Sequence, residues 1–219
     1  MGKQKNNPAA DLGLLALRLT TGGMMAGHGA QKLFGSFGGH GLTGTAGWLE
    51  SLGLKPGKQW AALAGAGEFG SGLLTALGLG GPIGPIAMYG PMLMAWATVH
   101  AGKPIWVTSG GAELPLVYLS NVTALALTGP GRYSLDKALG IKMPITLVAL
   151  TAAGVAAGLA VGLLTREQPG QQEQPPAAKG ESVAEFEARQ PDAEQAHTTE
   201  SEHIEEFKAR ETGARYNEL

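Results

Sequence analysis

Arg18, Glu68, His100 and Asn121 are the residues of this 219-residue chain whose types could do chemistry, because each stands in a stretch otherwise apolar enough for lipid. An ionisable or strongly polar group in hydrocarbon is costly unless it faces a partner or a water-filled cavity. Four apolar stretches carry such a group, and a fifth, Ile145 to Leu164, carries none. The pattern predicts an all-α, polytopic membrane protein: a four-helix bundle with a polar interior, plus an accessory fifth span.

Helical periodicity places these groups on inward faces. Arg18, Gly22, Met25, Gly29 and Lys32 share one stripe of the first helix, and Ala61, Ala64, Glu68, Gly72 and Thr75 share one stripe of the second. Both stripes are rich in small residues, which let membrane helices approach closely. Tyr89, Trp96 and His100 align on the third helix, and Leu114, Asn121, Leu125 and Thr128 on the fourth. At the usual helical rise, Glu68 lies about 12 Å, Asn121 about 10 Å and Arg18 about 18 Å from the face where the first helix ends. An Arg18–Glu68 ion pair is therefore expected, with His28, Gln31, Lys32, His100 and Glu113 at the mouth.

Three uses fit this constellation. An ion pair could fix helix register, with Asn121 as interhelical glue. A pocket could bind a ligand through Arg18, His28, Asn121, Trp96 and Tyr89, with Glu68 and His100 as the catalytic groups that relay protons. A haem or metal on His28 and His100 is disfavoured, since histidines near helix ends more often only form hydrogen bonds.

A span needs about 20 mainly apolar residues. The expected helices are Leu12 to about Ala30, Trp60 to Leu79, Ile83 to His100, Leu114 to Thr128 and Ile145 to Leu164. Pro91 should kink the third, whereas Pro115 suits the first turn of the fourth. Between the first two helices lies a Gly-rich connection, followed by a piece around Trp48 that suits an interfacial helix. Gly80-Gly81-Pro82 is so short that the second and third helices must be antiparallel neighbours. Arg18 interrupts the first apolar stretch, which therefore reads as a retained helix and not a cleaved leader. Asn6 stands where myristoylation wants Ser or Thr. Lysine and arginine near the helix ends divide almost evenly between the two sides, leaving orientation undecided.

The chain thus divides into an N-terminal segment (1–11), a four-helix bundle (12–140), an accessory span (141–165) and an acidic tail (166–219). Residues 1–165 carry a net charge of about +5 and residues 166–219 about −7. The tail opens with a Pro/Gln-rich linker and reads as mostly disordered. It repeats a short motif: Val183-Ala184-Glu185-Phe186-Glu187-Ala188-Arg189 recurs as Ile204-Glu205-Glu206-Phe207-Lys208-Ala209-Arg210. Phe186 and Phe207 are the candidate partner-binding residues, against the plainer reading of a solvated acidic tail. There is no cysteine, which excludes a disulfide framework and thiolate-bound clusters within this chain.

His28-Gly29-Ala30-Gln31-Lys32-Leu33-Phe34-Gly35, Glu68, His100, Gly110-Gly111-Ala112-Glu113-Leu114-Pro115-Leu116 and Gly129-Pro130-Gly131-Arg132-Tyr133-Ser134-Leu135-Asp136, taken together and in order, resemble the DoxX family of small bacterial membrane proteins. The resemblance covers roughly residues 10–140. It implies a four-helix membrane bundle similar to the membrane subunit of thiosulfate:quinone oxidoreductase, in the bacterial cell (cytoplasmic) membrane. It also implies soluble redox partners, a superoxide dismutase and a sulfurtransferase. The fifth helix and the tail depart from that pattern. The last of these motifs has a structural reading of its own, with Gly129-Pro130-Gly131 as a tight helix exit and Ser134 as cap of a short interfacial helix.

The expected function is a membrane subunit of a redox or oxidative-stress system that binds a quinone or a small sulfur anion. A non-enzymatic scaffold that recruits soluble redox proteins is the alternative, and a proton or solute path the third. The chain has no cofactor motif of its own. Its expected partners are the lipid bilayer, soluble redox proteins and a second copy of the chain, with no nucleic acid.

Overall fold

The computed structural model describes residues 7–167 of the chain. Two units divide the chain, Met1–Gln171 and Gln172–Leu219, and only the first is described. The repeated tail motif, with Phe186 and Phe207, lies outside the described residues.

The described unit is helical throughout, with no strand. Helix α1 (Pro8–Phe34) begins at Asn7, whose side chain accepts from the Ala10 N–H at 3.2 Å, and ends at Gly35 in the left-handed conformation. A short turn leads to α2 (Gly41–Ser51), followed by α3 (Gly57–Leu77). The expected single third helix is broken into α4 (Ile83–Ala87) and α5 (Tyr89–Ala95), and the chain then widens into a π turn over Trp96–His100. Pro91 accounts for part of this, because it donates no backbone hydrogen bond and its ring crowds the preceding turn. The remaining elements are α6 (Glu113–Thr128), α7 (Leu135–Leu139) and α8 (Ile145–Leu164). Ser134 caps α7 by accepting from the Lys137 N–H at 3.2 Å, as its sequence position suggests.

Helices α1 and α3 pack antiparallel through glycine. A Cβ on Gly22 would strike the backbone of Gly72 and Ala76, and one on Gly29 would strike the backbone of Phe69. Such contact distances are available only where neither helix presents a side chain. This register makes α3 overhang the end of α1 by about seven residues, roughly 10 Å. The α2 segment covers the overhang: Ala46 and Leu49 pack with Leu54 and Ala61, and Glu50 accepts from the Gly57 N–H at 2.9 Å.

Polar groups sit inside beside an apolar cluster of Met25, Met88, Met92 and Val122, and large apolar side chains cover the exterior. Arg18, Thr21, Glu68, Ser71 and Thr75 are buried, but Leu19, Met24, Leu63, Leu116, Leu127 and Leu150 are exposed. A water-soluble bundle would invert this arrangement, because burial of large aliphatic side chains is its main source of stability. Within the described residues, α8 is the one helix long and apolar enough by itself to cross a membrane; the other long helices are interrupted by the polar groups they bury.

Candidate functional site

The ion pair in the bundle is not the expected one. Glu68 Oε2 accepts from Lys32 Nζ at 2.5 Å, while Arg18 lies at the other end of α1, about 21 Å along the helix from Lys32. Flush ends of α1 and α3 would bring Arg18 toward Glu68. The overhang of α3 instead places Glu68 level with the last turn of α1, and Lys32 already stood on the same stripe as Arg18. Among the described residues no Arg18–Glu68 contact forms.

Arg18 belongs to a separate structural cluster. Its Nη2 donates to the Tyr133 carbonyl at 2.7 Å and its guanidinium packs on Gly78, with the side chain almost fully buried. Beside it, Asp136 accepts from the Gly80 and Gly81 N–H groups at 2.9 and 2.5 Å, and its own N–H donates to the Gly78 carbonyl. The tight turn after α3 is thus held by the start of α7. Periodicity gave no sign of Asp136, whose partners are backbone groups 55 and 56 residues away.

The cavity lies at the opposite end, between α1, α3, α5 and α6, and encloses about 240 Å³. Its polar edge is His28, Lys32, Glu68 and His100, and its walls are mainly apolar and aromatic, with Trp48, Trp60, Met92, Met94 and Tyr118. His100 Nδ1 donates to the Gly110 carbonyl at 2.6 Å. A carbonyl only accepts, so the neutral ring keeps its lone pair on Nε2. The exposed His28 pairs through Nδ1 with the Gln31 side chain at 3.1 Å.

Of the other candidates, Asn121 Nδ2 donates to Thr21 Oγ1 at 3.2 Å, an interhelical link away from the cavity. Tyr89 Oη pairs with Thr123 Oγ1 at 2.5 Å and faces a separate apolar cleft toward α8. Trp96 is half-buried at the start of the π turn and, like Arg18, does not line the cavity. Glu68, His100 and His28 are therefore brought together, while Arg18, Asn121, Tyr89 and Trp96 are not. Trp48, expected at the headgroup level, and Tyr118 and Trp60 line the cavity without being marked for it in the sequence, because an aromatic at helical spacing looks the same whether it lines a cavity or lipid.

The mouth is held by the end of α8. Arg166 Nε donates to the Leu52 carbonyl at 2.7 Å, and its terminal nitrogens reach the Ala97 and Thr98 carbonyls at 3.5 Å. The Glu167 N–H donates to the Gly53 carbonyl at 2.9 Å. Glu167 also holds Lys55 at 2.6 Å, and this hydrogen bond and charge push the exposed Lys55 ammonium above its ordinary pKa.

The DoxX family model matches residues 13–101. Residues 13–101 thus form a DoxX domain. The matched segment spans α1 to the π turn, including His28, Lys32, Glu68 and His100, and stops before α6, α7 and α8. The GGAELPL and GPGRYSLD motifs lie beyond it. No curated protein and no solved structure matches the chain. DoxX proteins are membrane-associated, in agreement with the apolar exterior of this bundle.

Proposed function

We propose that this DoxX protein is a multi-pass protein of the bacterial cell membrane that serves a redox system by holding a quinone headgroup in the Glu68–His100 cavity. One observation carries the reading: the cavity has apolar, aromatic walls and a single polar edge. That is the usual composition of a site for a flat, mostly apolar ligand whose few polar atoms need fixed partners. A small sulfur anion fits less well, because the nearest cation, Lys32, is already neutralised by Glu68.

Reduction of a quinone consumes two electrons and two protons. The Lys32 ammonium and the imidazolium form of His100 would supply the two protons to the quinone oxygens, and a soluble redox partner would supply the two electrons. The scaffold reading differs in needing the tail and not the cavity.

Binding of a chain-free benzoquinone to protein in phosphatidylcholine nanodiscs tests this. Glu68→Gln and His100→Ala should each weaken binding about tenfold, equivalent to 1.4 kcal/mol. Unchanged binding in both, together with loss of copurifying soluble proteins when residues 168–219 are deleted, favours the scaffold.

A further inference from the structure

A second cavity of about 330 Å³ lies on the lipid side of the first, between α3, α4–α5 and α8. The two share Trp60, Ala64, Pro91 and Met94, so the cavities adjoin along these four residues. Three glycines open onto this space: a Cβ on Gly67, Gly154 or Gly158 would meet nothing within 4 Å. The lining holds no charged residue, and the Oγ1 of its one hydroxyl residue, Thr151, already donates to the Leu147 carbonyl at 2.9 Å. Along α8 the lining runs from Thr151 to Leu159, about 12 Å, and near Gly162 the helix closes onto Trp60 and Met94.

We infer that this groove is the seat of the isoprenoid chain of the quinone, which leaves the headgroup cavity past Trp60, Ala64, Pro91 and Met94 and lies between α3 and α8. The inference rests on the headgroup reading above and adds the route by which an amphiphile enters from the bilayer. Hydrocarbon is the occupant because the lining carries no charge, its one hydroxyl is bonded within α8, and the groove adjoins the headgroup site. The chain beyond Glu167 begins with glutamines and prolines, a composition unsuited to an apolar slot. α8 lies outside the matched DoxX segment, so this helix supplies one whole side of the site.

The test compares a chain-free benzoquinone with the same benzoquinone carrying a decyl chain, each titrated into full-length protein in phosphatidylcholine nanodiscs. Gly158→Phe should fill the groove, with Gly154→Leu as a milder second variant and Gly23→Leu on the outer face of α1, where a Cβ also meets nothing, as control. We expect Gly158→Phe to weaken the decyl compound at least about tenfold and leave the chain-free compound unchanged, with Gly154→Leu in the same direction and Gly23→Leu without effect. Undiminished decyl binding in both groove variants would overturn the inference and leave the groove to annular lipid. Decyl binding that falls in Gly158→Phe but ignores Glu68→Gln would support the chain site and reject the headgroup reading. If wild-type protein binds neither compound, both fall.

Discussion

Lys32 Nζ stands 2.5 Å from Glu68 Oε2, tying the last turn of α1 to the middle of α3 in place of the expected Arg18. Glu68 is the more buried partner and Lys32 keeps partial access to the surface. Removing Lys32 therefore strands a carboxylate in a low-dielectric site, whereas removing both charges strands nothing.

Lys32→Met should cost about 3 kcal/mol of stability, and Lys32→Met with Glu68→Gln should recover most of it. The same cycle between Arg18 and Glu68 should be additive within about 0.5 kcal/mol, because the two share no partner. Unfolding of the variants in detergent micelles measures both cycles; a large Arg18–Glu68 coupling would contradict the observed register.

Asp136→Ala should destabilise by about 2–4 kcal/mol, since two N–H groups of the Gly80–Gly81 turn lose a charged acceptor in a buried setting. Ligand affinity at the distant cavity should stay near wild type once the folded fraction is matched. Thermal unfolding followed beside quinone titration separates the two effects.

Gly29→Ala should abolish folding yield while Gly27→Ala is neutral, although the two positions are two residues apart on α1. A Cβ at Gly29 meets the Phe69 backbone, and one at Gly27 meets nothing within 4 Å. Backbone cannot give way as a side-chain tip can. The yield of monodisperse protein after extraction reports the contrast.

Arg166→Ala should loosen the mouth, because the carbonyls of Leu52, Ala97 and Thr98 lose a shared donor. Faster amide exchange over 96–101 is the expected signature. Lys55→Ala should show no such change, since an exposed ion pair contributes little. The raised Lys55 pKa gives its small contribution a sign: it is present at neutral pH, below the unfolded-state value, and is lost as pH rises through the folded-state value. An Arg166→Ala protein with wild-type exchange would show that α8 merely passes the site.

Much of the bundle was legible in the sequence because lipid imposes a simple rule on it. Each long apolar stretch became helical, the third in broken pieces and Ile145–Leu164 with the bounds expected, and the small-residue stripes through Gly22, Gly29 and Gly72 became the α1–α3 seam. The DoxX resemblance followed from motifs in fixed order. His28, Lys32 and His100 could be gathered at one mouth because the first and third apolar stretches end on the same face. Partner choice could not be read in this way. It depends on how far α3 slides past α1, a displacement of about 10 Å that no spacing within one helix records. That slide exchanged Arg18 for Lys32 at Glu68 and sent Arg18 to Tyr133. Asp136 and Arg166 were equally hidden, because both act on backbone groups, which every residue has and no side-chain pattern marks. The sequence by itself therefore determined which residues lie inside and near which end, since solvation acts on each residue separately; tertiary structure alone decided which of them meet, since that depends on the relative placement of two helices.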